Sequence, residues 1–110
     1  MPSIKSSSSS NNPVTVANDS TMSVRIRVVG RVQGVCYRDW MVRRAHLNGL
    51  SGWVRNRSNG TVESVIAGPR AAVMAMIEDA HSGPPAARVD ELTVASESYS
   101  GTGFTRRPTL

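Results

Sequence analysis

Several things are scarce in this chain, and each scarcity excludes something. Cys36 is the single cysteine. No intrachain disulfide and no cysteine-built zinc site can therefore form, which suits a reducing compartment. Lysine is confined to Lys5. No run of residues is apolar enough for long enough to span a bilayer. The first residues also lack the apolar centre of a secretory signal. With Lys5 and no arginine before Arg25, a mitochondrial address is not expected. A cytoplasmic location without membrane attachment is the expectation. The length of 110 residues allows one domain.

The segment 1–22 has few large apolar residues and contains the serine run Ser6 to Ser10, followed by Asn11, Asn12 and Pro13. Such a stretch buries too little surface to offset its ordering entropy, and it reads as a flexible tail. The domain is expected over 23–107. The net charge is +5. Lys5 and Asp19 cancel, so the charge belongs to the domain, and every basic residue after Lys5 is an arginine. A basic domain suits an anionic partner. Arginine usage on a solvated surface gives the same composition.

The periodicity predicts the elements. Val24, Ile26 and Val28 alternate with Arg25 and Arg27, as in a half-buried strand over Ser23 to Val29 that Gly30 ends. A helix is expected from Cys36 to Leu47, with Tyr37, Met41 and Ala45 on one stripe. Asp39 in its first turn and Arg43 and Arg44 near its end suit the helix dipole. Asn48-Gly49 is a stop signal. Strands follow over Ser51 to Arg57 and Thr61 to Ala67, joined by the hairpin signal Asn59-Gly60. Gly68-Pro69 should break the second of these, with Pro69 in the first turn of the next helix. That helix would run to about His81, with Val73, Met76, Ile77 and Ala80 inward. Arg88 to Ser96 reads as a strand with Leu92 and Val94 on one face. A short strand is expected around Phe104 to Arg106. The order β-α-β-β-α-β defines an α+β, ferredoxin-like split β-α-β fold: an antiparallel sheet with two helices on one face. Fold alone does not assign activity.

The loop from Gly30 to Arg38 is the chemically informative segment. Gly34 can take a positive φ or admit a ligand close to the backbone. Successive amides in such a turn can converge on an anion, and a helix N-terminus adds positive potential. Arg38 supplies a planar fork of donors matched to phosphate oxygens. By itself this pattern is also that of an ordinary turn with a surface arginine. Asn56 taken alone is equally a polar residue beside a hairpin. Cys36 has no histidine at a useful spacing and is not read as a nucleophile. His46 and His81 fall near helix ends and read as surface or capping residues. Trp53 reads as core. A nucleic-acid module on this fold would stack bases on the sheet's open face. The strands offer only Trp53 and Phe104, so no nucleic-acid partner is expected.

Gly30-Arg31-Val32-Gln33-Gly34-Val35-Cys36-Tyr37-Arg38 resembles the first signature of the acylphosphatase family, G-x-V-Q-G-V-x-F-R. Gly52-Trp53-Val54-Arg55-Asn56, followed by Gly60-Thr61-Val62-Glu63, resembles the second, G-W-V-R-N-x-x-D-G-x-V-E. Gly83-Pro84-Pro85-Ala86-Ala87-Arg88-Val89 is similar to a weaker third stretch. The resemblance covers Val24 to about Arg106. Three departures stand out. Tyr37 replaces the usual Phe and requires a partner for its hydroxyl. Asn59 replaces an Asp in the hairpin. Pro108 follows the last strand closely.

The resemblance implies hydrolysis of acyl phosphates to carboxylate and inorganic phosphate. Arg38 and Asn56 would be the catalytic pair. Val32, Gln33, Gly34, Val35, Cys36, Tyr37 and Arg38 would bind the phosphoryl group, and Asn56 would orient the attacking water. Inorganic phosphate or sulfate would be product-like ligands. No metal and no cofactor are expected, and the chain should act as a monomer.

Overall fold

The computed structural model describes residues 21–110. The elements are β1 (Thr21–Arg31), α1 (Tyr37–Leu47), β2 (Ser51–Asn56), β3 (Val62–Pro69), α2 (Arg70–Ser82), β4 (Arg88–Ser96) and β5 (Phe104–Arg106). Strand β1 starts at Thr21, inside the segment read as tail. The rest of that segment, 1–20, lies outside the described residues.

The strands form one sheet in the order β4-β1-β3-β2-β5. The pairings among β1, β2, β3 and β4 are antiparallel, as expected. The β2–β5 pairing is parallel, with Gly52 opposite Phe104 and Val54 opposite Arg106, so the sheet is mixed. The reason is topological. β4 and β5 occupy opposite edges. The chain between them passes one end of the sheet, where Tyr99 and Gly101 meet Thr21, Ser51 and Gly68 around a cavity of about 400 Å³. It then arrives at β2 running the same way.

Several element boundaries differ from the sequence expectation: β2 ends at Asn56 rather than Arg57, β3 spans Val62–Pro69 rather than Thr61 to Ala67, and three further differences have a visible cause. Gly30 does not end β1. A register shift between Val29 and Gly30 carries the strand on to Arg31. Gly30 sits at φ 141°, and a Cβ there would lie 2.1 Å from the Arg88 carbonyl oxygen, so glycine permits the close approach. Pro69 is not in α2. It is extended at φ −57°, ψ 137°, and pairs with Thr21 at the last rung of β1–β3, where the end of a ladder tolerates its missing N–H. Cys36 precedes α1 rather than opening it, because its φ of 64° is left-handed.

Both helices pack on the same side of the sheet, α1 over β2 and β5, and α2 over β3, β4 and β1. The core between them holds Val24, Ile26, Val28, Tyr37, Met41, Ala45, Val54, Val62, Ile66, Val73, Met76, Ala80 and Phe104. Burying each large aliphatic side chain contributes roughly 1.5–3 kcal/mol. The helix stripes thus fall as the spacing predicted, except that Ile77 is only partly buried. On β4, Leu92 packs against the core, but Val94 is 46% exposed because β4 is an edge strand. Trp53 is buried, as expected, but outside this cluster. Strand alternation puts it on the opposite face from Val54. There the guanidinium carbons of Arg55 and Arg107 lie 4.8 and 4.6 Å from its ring centre.

Candidate active site

The loop 32–36 follows from two residues that can hold positive φ. Gly34 lies at φ 73° and Cys36 at φ 64°. The latter is unusual for a residue with a side chain and costs of order 1–3 kcal/mol. The first bond of α1 runs from the Trp40 amide to the Cys36 carbonyl at 3.0 Å. Among the described residues, no side chain caps the helix. The amides of Tyr37, Arg38 and Asp39 therefore have no acceptor within it.

A cavity of about 260 Å³ opens at this point, lined by Val32, Gly34, Cys36, Tyr37, Arg38, Asp39, Asn56 and Arg106. The structure thus brings Arg38, from the first turn of α1, and Asn56, from the end of β2, to one enclosure. Asn56 reaches it because Val54 faces the helices, and the residue two further along a strand shares its face. The Asn56 Oδ1 atom is buried and has no hydrogen-bond partner among the described residues. A buried acceptor in that condition costs about 1–3 kcal/mol. Arg38 is held loosely: its Nη1 donates to the Arg107 carbonyl at 3.5 Å.

Of the loop residues named from the sequence, Val32, Gly34, Cys36, Tyr37 and Arg38 line the cavity, while Gln33 and Val35 do not. The Val35 side chain packs against the core. Gln33 turns to the β2–β3 hairpin, where its Nε2 donates to the carbonyls of Arg57 at 2.8 Å and Thr61 at 2.9 Å. It ties the loop to the segment that carries Asn56. That segment is also held from the other side, since Leu110 N donates to the Asn56 carbonyl at 3.1 Å. Tyr37 has the partner its hydroxyl required, donating to the Ala80 carbonyl at 2.6 Å. Burial pushes its phenol above the ordinary range, so it stays a neutral donor that pins α1 to α2.

Two lining residues escaped the sequence reading: Asp39, taken only as a dipole partner, and Arg106. Arg106 Nη1 donates to Asp39 Oδ1 at 2.6 Å. The available signal was alternation in β5: with Phe104 inward, Arg106 must share its face.

The other residues weighed fall elsewhere. His46 is exposed, and its Nε2 lies 3.1 Å from the Phe104 carbonyl oxygen. Phe104 is buried in the core and Trp53 beneath two arginines, so neither ring offers a free face to a base. On the open face Glu63 is buried and accepts hydrogen bonds from Arg25, from Arg55 Nε at 2.9 Å and from Arg57 Nη1 at 2.9 Å. Among the described residues, no three His, Cys, Asp or Glu side chains gather as a metal-ligand set. No helix among them is long and apolar enough to cross a membrane.

Comparison with known proteins gives a consistent result. The acylphosphatase family model matches residues 24–105. An acylphosphatase from Rhodospirillum rubrum is 50% identical over 86 residues, covering 77% of this chain and 94% of that protein. One from Pyrobaculum aerophilum is 55% identical over 73 residues, covering 66% and 77%. The solved structure of an acylphosphatase from Coxiella burnetii matches with a TM-score of 0.74 and 34% identity, covering 86% of this chain and 100% of that one.

Proposed function

The chain belongs to the acylphosphatase family, and from that premise we propose that it hydrolyses acyl phosphates to carboxylate and inorganic phosphate, with Arg38 and Asn56 as its catalytic residues. The observation that carries the proposal is that Asn56, whose buried Oδ1 has no partner among the described residues, lines the same cavity as Arg38.

The bond chemistry explains why so small a set suffices. The leaving group is a carboxylate, whose conjugate acid has a pKa of about 4 by analogy with glutamate. It departs without a proton, so no general acid is required. Phosphoryl transfer passes through a loose transition state with little bonding to the nucleophile, so a strong base is dispensable too. Two tasks remain: holding the phosphoryl oxygens and aligning a water behind the phosphorus.

Arg38 and the amides of the 32–37 loop perform the first task. The guanidinium fork takes two phosphoryl oxygens, and the amides of the first helical turn supply further donors. Asn56 performs the second. Its Oδ1 accepts a hydrogen bond from the water and turns a lone pair toward phosphorus. A carboxylate at this position would repel the phosphate. The Gln33 side chain, bonded to the hairpin, positions Asn56 rather than binding phosphate. No step needs a metal or a cofactor. The proposal includes a cytoplasmic location and action as a monomer.

The test is hydrolysis of benzoyl phosphate by the purified protein. Turnover should be the same with and without a chelator. Phosphate monoesters should react far more slowly, because their alkoxide leaving group needs an acid this site lacks. Chelator-sensitive turnover, or a preference for monoesters, would overturn the reading.

A further inference from the structure

The cavity has a depth and a mouth, and they differ in charge. At depth is Asn56, whose Oδ1 is shielded from solvent. At the mouth are Asp39 and Arg106, each with its side chain 51% exposed. A phosphoryl group seated beside Asn56 fills only part of about 260 Å³. The acyl portion of a substrate must extend outward from it, toward the mouth. What it meets there is an ion pair.

That pair is lightly held. Arg106 Nη1 donates to Asp39 Oδ1, and a guanidinium carries five N–H donors. A half-exposed pair of this kind is weakly bound because solvent screens it. Arg106 can thus keep one N–H on Asp39 while its other donors face an incoming anion. Arg38 belongs to the first turn of α1 and Arg106 to the edge strand β5, so the two cations approach the enclosure from different elements. One suits the phosphoryl group, and the other suits whatever projects from it.

We infer that Arg106 is a specificity-determining residue, selecting acyl phosphates whose acyl portion bears a second negative charge, such as a carboxylate. This rests on the acyl phosphate hydrolysis proposed above. Asp39 has the opposing role. It restrains the guanidinium, and its own charge repels an anionic acyl group once Arg106 is removed. The two halves of one ion pair therefore push selectivity in opposite directions.

The experiment compares kcat/KM for para-carboxybenzoyl phosphate with that for benzoyl phosphate, in the wild type, Arg106→Gln and Asp39→Asn. The wild-type ratio should exceed one. Arg106→Gln should lower it about 10-fold or more, as for loss of one charged partner. Asp39→Asn should raise it about threefold, since it frees the guanidinium and removes the repulsion. A pair that merely braces β5 against α1 would make both variants shift the ratio alike, or leave it unmoved, and either result overturns the inference. Equal loss of both substrates in Arg106→Gln would reassign Arg106 to the phosphoryl group and also overturn it. Absence of turnover on both substrates in the wild type would remove the hydrolytic reading underneath. Turnover with a ratio near one would remove this inference alone.

Discussion

Arg55 and Asn56 end β2 side by side and face opposite sides of the sheet, where polar groups are treated in opposite ways. On the open face the buried charge is answered. Glu63 is enclosed by Arg25, Arg55 and Arg57, and Arg25 also donates to Glu97 at 3.2 Å. On the helix side, among the described residues, Asn56 Oδ1 is buried without a partner, and Arg38 makes a long contact to the Arg107 carbonyl. Both faces carry arginines, so arginine content does not distinguish them. Satisfaction does. A saturated network holds strands together, whereas an unsatisfied buried acceptor beside a loosely held cation keeps bonding capacity for something else. The cost of the unsatisfied group, about 1–3 kcal/mol, is borne where chemistry needs it.

Substitutions on each side should separate the two kinds of arginine and the two kinds of buried polar group. The largest effect is expected on the helix side. Arg38→Ala should lose about 10³-fold in kcat/KM, at the upper end for one positioned donor. It should also lose measurable affinity for inorganic phosphate by calorimetry. Asn56→Ala should lose about 10²-fold in kcat while phosphate affinity stays near that of the wild type. If Asn56→Ala turned over normally, water alignment would have to be assigned elsewhere. Gln33→Ala should be milder, with kcat down about 10-fold through misplacement of Asn56. Phosphate affinity should change less than kcat, and a larger loss of affinity would mean that Gln33 binds phosphate directly.

Glu63→Gln on the open face should behave differently. It should leave turnover per folded molecule within about threefold but cost about 1–2 kcal/mol of stability, discounted because the arginines are partly exposed. In a domain of this size that is roughly 5–15 °C in Tm. Its pH dependence has a definite sign. Burial alone would raise the Glu63 carboxyl, but hydrogen bonds from Arg57 and Arg55 and the charge of Arg25 outweigh burial and hold it below its ordinary 4.5. A depressed carboxyl contributes stability that is full above its unfolded value and is lost as pH falls through the folded value. Wild-type Tm should therefore decline below about pH 4.5, and Glu63→Gln should flatten that decline. A loss of turnover without a loss of stability would contradict the division between the faces.

How much of this could be read from the sequence depended on how local the cause was. The stripe of Tyr37, Met41 and Ala45, the alternation of β1 and the Asn59-Gly60 hairpin are local patterns, and all fall as expected. Strand β4 was legible to its ends. The extension of β1 through Gly30 was not, because its cause is the Arg88 backbone on another strand. The parallel pairing of β5 depends on a path around the end of the sheet, which no short-range pattern encodes. Arg38 and Asn56 were identified through motif resemblance, and the structure gathers both at one cavity. The turning of Gln33 away from that cavity, toward two carbonyls of the hairpin, needed the tertiary structure. So did the fate of the positive charge. Arg25, Arg44, Arg55, Arg57, Arg88 and Arg106 sit in ion pairs, so half of the twelve arginines in the composition face carboxylates within the fold.

The most direct test of the central claim is a crystal structure with vanadate, a five-coordinate mimic of the phosphoryl group in flight. The equatorial oxygens should accept hydrogen bonds from Arg38 and the loop amides, with an apical oxygen about 2.8 Å from Asn56 Oδ1. Vanadate bound in the same cavity with its apical oxygens out of reach of Asn56 would contradict the account.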